Sequence, residues 1–82
     1  ICAAPSVLGS LGLLKGKTAT CYPGYEEQLD GASCSQAGVI TDGNITTARG
    51  LGYALDLGIE LVRLFSGSEH AAKVKRAIQY ER

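Results

Sequence analysis

Apolar residues recur at Ala4, Val7, Leu8 and Leu11, the spacing that puts one stripe on a helix. The pattern predicts a helix beginning near Pro5, whose ring presets φ at a first helical position, where no N–H is required. Gly9 and Gly12 weaken this helix, and Gly12 is a good stop. After a turn at Lys15-Gly16, the run Lys17-Thr18-Ala19-Thr20-Cys21-Tyr22 reads as a strand, from its threonines and closing aromatic, and Pro23-Gly24 ends it. Tyr25 to Leu29 reads as a short helix stopped by Gly31, and Ala32 to Gly38 as a polar loop or short strand.

Val39-Ile40-Thr41 and Asn44-Ile45-Thr46-Thr47-Ala48 flank Asp42-Gly43, a pair that favours the two-residue turn of a β-hairpin. From Leu51 a wide apolar stripe (Leu51, Leu55, Ile59, Val62, with Leu61 and Phe65) faces Asp56, Glu60 and Arg63, predicting a helix that packs on the sheet. Ser66-Gly67-Ser68 breaks it. Ser68 is the expected cap of a last helix, with Glu69 in its first turn and Ala71, Val74 and Ile78 on its inner face.

Composition narrows the class. At 82 residues the chain is one domain at most, near the size where a single core becomes marginal. Its 45% hydrophobic content and balanced charge, eight basic against eight acidic, describe a globular chain that seeks neither nucleic acid nor membrane. No apolar run is long enough to span a bilayer and no signal-peptide pattern opens the chain, so a cytoplasmic address is expected. There is no methionine, even at position 1, so the chain is expected to be a piece of a longer protein.

Three cysteines, Cys2, Cys21 and Cys34, form no C-x-x-C pair, and their odd number argues against a disulfide framework. With a single histidine, no metal site is expected, nor any cofactor. Cys21 and Cys34 read as reduced thiols. Cys2 differs, because Ile1-Cys2-Ala3-Ala4-Pro5 is what a sharp strand-to-helix turn needs to hold a nucleophile at its tip. Small residues let the backbone turn, and a cysteine at a helix start is favoured as thiolate. The tip of such a turn leaves few allowed φ/ψ choices, so Cys2 is expected in a strained conformation.

These five residues, then Gly16-Lys17 leading into Tyr22-Pro23, then Thr41-Asp42-Gly43-Asn44-Ile45-Thr46-Thr47-Ala48-Arg49-Gly50, closely resemble the second half of the ThiJ/PfpI (DJ-one) family, in order and over nearly the whole chain. The resemblance implies an α/β, flavodoxin-like three-layer sandwich with a mostly parallel sheet plus a hairpin. Residues 1–82 would form the C-terminal portion of that single domain. Its N-terminal half, including the strand feeding the turn at Cys2, would lie before Ile1, and a homodimer is implied.

The resemblance also implies a site: Cys2, Ala3 and Tyr22 for catalysis, Arg49 and Gly50 for binding. Cys2 matches the family's nucleophile, and the N–H of Ala3 would hold developing negative charge. Family enzymes place a histidine directly before the proline or directly after the cysteine; here those positions are Tyr22 and Ala3. Tyrosine is no imidazole base near neutral pH, and Tyr22 reads equally as an aromatic filling the sheet edge. The family's acidic partner of the cysteine would lie in the absent half. Arg49 reads either as a donor to a bound anion or to that acid, or as a hydrogen bonder to loop carbonyls. Thr46 and Thr47 read as strand residues, and His70 as an exposed surface histidine.

The function implied is a cysteine enzyme acting on small reactive carbonyls or glycated substrates, of glyoxalase or deglycase type. The alternative is a non-enzymatic oxidative-stress sensor or chaperone using the same thiol. An amidotransferase-like hydrolase is remote, because Glu69-His70-Ala71-Ala72 does not supply the His-x-Glu pair that class needs.

Overall fold

Pro5, whose missing N–H costs nothing in the first turn, starts helix α1 (Pro5–Ser10) in the computed structural model, which describes residues 1–81. Leu11 closes the helix and Gly12 follows at φ 75°. Gly12 N–H donates to Gly9 O and Leu13 N–H to Leu8 O, so the stop is the paired-bond, left-handed C-cap that favours glycine. Gly9 is more than a weak helix residue. A Cβ there would lie 2.2 Å from Gln28 O, so α1 is held against the Gln28-Leu29 backbone only because this position is bare.

The expected strand over residues 17–22 forms a ladder only at β1 (Thr18–Ala19), parallel to β2 (Ser33–Cys34). The extended path nevertheless continues. On one side, Ser33 and Ser35 N–H groups donate to Lys17 and Ala19 carbonyls, each at 2.8 Å. On the other, alternate N–H groups find non-ladder acceptors: Thr18 reaches Asp42 Oδ2 at 2.7 Å, Thr20 reaches Thr47 Oγ1 at 3.0 Å and Tyr22 reaches Cys2 O at 2.8 Å. Side chains and a turn carbonyl thus occupy the edge where a strand would otherwise pair. Between β1 and β2, Glu26–Gln28 forms one 3-10 turn rather than a helix over Tyr25 to Leu29. The weak loop-or-strand segment after it resolves into β2.

The hairpin forms with its turn one residue later than expected. Strands β3 (Val39–Asp42) and β4 (Ile45–Ala48) are antiparallel, with Asp42 paired to Ile45, so Gly43 and Asn44 make the turn. Only Gly43 has positive φ, at 62°, the pattern of a hairpin turn with glycine at its first central position. Asp42 is thereby freed to cap Thr18.

The helix expected from Leu51 begins with a 3-10 turn, Leu51–Tyr53, and becomes α2 at Ala54–Ser66. It contacts β3 and β4 and packs more extensively on α3 (Ser68–Ala77). The cap of α3 is Gly67, at φ 91° and ψ 163°, and Ser68 is already helical and makes no capping bond. Along α3, Ala71 is buried, Val74 half-buried and Ile78 exposed. A short relay fastens α2 to the hairpin: Thr41 Oγ1 donates to Glu60 Oε2 at 2.7 Å, and Thr46 therefore donates to Thr41 at 2.9 Å, since the single Thr41 proton is spent. Arg63 grips the same carboxylate with Nε and Nη2 at 2.7 and 3.0 Å.

The core is small. Leu14, Ala19, Cys21 and Leu29 form its buried cluster, with Leu8, Ala32 and Ile45 against it. Val7 and Leu11 of the α1 stripe are 57% and 66% exposed, and Leu51 and Phe65 at the two ends of the second stripe 85% and 84%. Both apolar stripes form as expected, but little of this chain covers them.

Candidate functional site

The first four residues make a tight turn, with Ala4 N–H donating to Ile1 O at 3.1 Å. Cys2 is the turn's first central residue and takes φ 58°, one of only two non-glycine residues with positive φ among those described. Three bonds hold it there: the Ile1–Ala4 bond, Cys2 N–H to Ala48 O at 3.2 Å, and Tyr22 N–H to Cys2 O at 2.8 Å. The turn is therefore wedged between the end of the β1 segment and the end of β4. A cysteine at positive φ persists only where its surroundings over-determine it, and such residues cluster at functional sites. The thiol is half-buried. The N–H of Ala3 has no acceptor among the described residues, and the Ala3 carbonyl takes the Ser6 hydroxyl at 2.7 Å.

Tyr22, Arg49 and Gly50 line one cavity of about 390 Å3, together with Pro23, Leu51 and Tyr53. Cys2 and Ala3 are not on its wall; Cys2 abuts it through the backbone bond to Tyr22. Arg49 Nη1 donates to Gln36 O at 3.4 Å, the loop-carbonyl bond that was one of its two readings. Its charge also reaches Glu26, whose carboxyl is held below the ordinary carboxylate range chiefly by its own N–H and that of Gly24. Gly50 is fully extended, and a Cβ there would sit 3.5 Å from the Tyr22 ring.

Tyr53 belongs to this wall and was not singled out from sequence. Its signal lay in Gly50-Leu51-Gly52-Tyr53, an aromatic following alternate glycines directly after the arginine. The other two cysteines differ from Cys2 and from each other. Burial, then the Glu26 charge and Cys34, push the Cys21 thiol up, while Cys34 is exposed with its Sγ 3.7 Å from Glu26 O. His70 lies exposed on α3, and Thr47 is a buried strand residue.

A parallel strand pair, an antiparallel hairpin, covering helices and a positive-φ cysteine opening a helix define an α/β protein of the flavodoxin-like kind, organised round a cysteine turn. Residues 1–64 match the family model described as the DJ-1/PfpI family, and the chain belongs to that family. Protein DJ-1 homolog B of Arabidopsis thaliana is 44% identical over 78 residues, covering 90% of this chain and 17% of that protein. Isonitrile hydratase of Pseudomonas putida is 33% identical over 82 residues, 98% of this chain and 36% of that protein. Among solved structures, Drosophila melanogaster DJ-1beta superposes with a TM-score of 0.86 at 31% identity, over 99% of this chain and 45% of that one. Oxidized Toxoplasma gondii DJ-1 gives 0.86 at 27% identity, again over 99% and 45%. The chain spans less than half the length of each.

Proposed function

We propose that Cys2 is the nucleophile of a DJ-1/PfpI protein acting on small reactive carbonyls, in the manner of a glyoxalase or deglycase. The observation carrying this reading is the cysteine at φ 58°, held by backbone bonds at the start of a helix. The thiolate sulfur adds to the carbonyl carbon, the C=O electron pair moves to oxygen, and the resulting oxyanion is held by the free N–H of Ala3. A proton then delivered to that oxygen completes the hemithioacetal. Tyr22 stands where family enzymes carry an imidazole, so the proton must move without a histidine at that position. The exposed apolar stripes further support a partner that covers them, either more chain like the remaining length of the relatives or a second copy in a homodimer.

The test is turnover of a small dicarbonyl. Cys2→Ser is expected to abolish it, and Tyr22→His to raise it by about a hundredfold by supplying a general base. Activity unchanged in Cys2→Ser would overturn the reading. A second reading, an oxidative-stress sensor, is favoured by two observations: no histidine neighbours Cys2 along the chain, and one structural relative was solved oxidized. There, peroxide converts the Cys2 thiol to sulfenic acid and releases water. Clean oxidation at Cys2 with no gain in Tyr22→His would select it.

A further inference from the structure

The cavity beside Cys2 is lined by two aromatic rings, Tyr22 and Tyr53, and the second of them is laid on bare glycine backbone. Tyr53 occupies the space a Gly38 side chain would need, since a Cβ there would lie 2.1 Å from ring atoms Cδ1 and Cε1. Near the Tyr22 ring the backbone is Gly50, where an added Cβ would meet the ring at an ordinary 3.5 Å. Backbone bonds join these parts into one unit: Arg49 N–H donates to Gly38 O at 2.9 Å, and Tyr53 N–H to Gly50 O at 2.8 Å. Arg49 therefore sits in sequence and in space between the two rings' supports. Its guanidinium carries five N–H donors, yet among the described residues its one side-chain hydrogen bond is the long contact to Gln36 O. Pro23 and Leu51 complete an apolar lining of about 390 Å3 in volume, within the roughly 300–1,000 Å3 of small-molecule sites.

We propose that this cavity is a binding slot for aryl-substituted 2-oxo acids, with the flat ring against Tyr22 and Tyr53 and the carboxylate on Arg49. The inference rests on the reading of Cys2 as a carbonyl-directed nucleophile and names a ligand class of that site: a 2-oxo acid has no aldehyde hydrogen to shift, so its adduct with Cys2 forms and reverts without turnover. Aromatic faces recognise a flat π-system by offset or edge contact. A guanidinium with spare donors in a fork matches a carboxylate. A 2-oxo acid carries an electrophilic carbonyl directly next to that carboxylate. Tyr53 is the specificity-determining residue, and Gly38 is its positioning residue.

The test is equilibrium binding to the Cys2→Ser protein, which holds ligand without adding to it, using phenylglyoxylate, pyruvate and methyl phenylglyoxylate. Phenylglyoxylate is expected to bind about tenfold tighter than pyruvate, which lacks the ring, and than the ester, which lacks the charge. Tyr53→Leu should erase the preference over pyruvate while Tyr53→Phe keeps it, and Arg49→Gln should erase the preference over the ester. Gly38→Ala, which displaces the Tyr53 ring, should mimic Tyr53→Leu. Equal affinity for phenylglyoxylate and pyruvate in the parent Cys2→Ser protein overturns the slot without recourse to any further variant. Turnover of small carbonyls with no aryl preference leaves the proposed reaction standing and removes the slot. Selective binding without turnover of small carbonyls does the reverse.

Discussion

At the scale of single residues, the backbone at Cys2 is the feature from which the rest follows. A non-glycine residue at φ 58° carries strain of about 1–3 kcal/mol, against a chain-entropy cost for glycine of about 0.5–1 kcal/mol. Cys2→Gly is therefore expected to be more stable than Cys2→Ala by about 1 kcal/mol in urea titration; equal midpoints would show that the turn is unstrained. Thr20 and Thr47 give a second, opposed pair. The Thr20 hydroxyl is buried with no hydrogen-bond partner among the described residues, whereas Thr47 Oγ1 accepts the Thr20 N–H. Thr20→Val should be neutral or slightly stabilising, and Thr47→Val should cost about 1–3 kcal/mol by orphaning a buried donor. The reverse order in the same titration would refute the assignment. Pro5 and Gly12 were legible in the sequence because their conformations are set by neighbours within a few positions, and Cys2 was legible through its local turn residues although bonds from Ala48 and Tyr22 also hold it. Gly38 and Tyr53 were not, because what joins them is a contact across fifteen positions that no local pattern records.

Among the elements, long-range bonds decided what local preference left open. The Asp42-Gly43 pair signals a hairpin correctly, but Asp42 is drawn into β3, and its carboxylate caps Thr18 from the far side of the chain. Strand propensity over residues 17–22 predicts one strand, but the ladder is confined to Thr18–Ala19, because side chains fill one edge of the extended segment. Ser68 resembled a cap by residue type, yet the backbone break falls at Gly67, whose φ of 91° suits glycine. At the end of α3 the same left-handed stop as at Gly12 is made by Gln79, at φ 57°, with Tyr80 N–H donating to Lys75 O. Periodicity could not foresee a glutamine there. The Thr46–Thr41–Glu60–Arg63 relay carries a pH prediction. Hydrogen bonds from Arg63, then from Thr41, hold the Glu60 carboxyl below its ordinary value. A depressed folded pKa means that its stabilisation is present above the unfolded value of about 4.3 and is lost as pH falls through the folded value. Thermal stability should thus decline below about pH 4.3, and Glu60→Gln should flatten that part of the profile. An unchanged acid slope in the variant would place the sensitivity elsewhere.

For the molecule as a whole, the apolar stripes on α1 and α2 were legible from spacing alone, but what covers them was not, since spacing does not say how much partner surface a chain possesses. Large hydrophobic residues are exposed on both helices, Val7 on α1 and Leu11 at its end, Leu64 and Phe65 on α2, and exposed apolar surface of this kind favours association. Residues 1–82 alone are expected to self-associate or bind a hydrophobic dye in sedimentation and fluorescence assays; a monomer with one sharp, cooperative melt would contradict this. Family and fold were readable because the cysteine turn, the hairpin and the Arg49-Gly50 step lie in a fixed order along the sequence. The cavity was not readable, because it is assembled from two segments, Tyr22-Pro23 and residues 49–53, that lie far apart along the chain. The central claim is that Cys2 is chemically special by virtue of its backbone position rather than its exposure. Site-resolved alkylation by iodoacetamide, followed by mass spectrometry of each cysteine peptide, tests it most directly. Cys34 is exposed, Cys2 half-buried and Cys21 buried with its thiol pushed up. The account predicts Cys2 modified first, Cys34 second and Cys21 last; rates that simply follow exposure, with Cys34 ahead of Cys2, would contradict it.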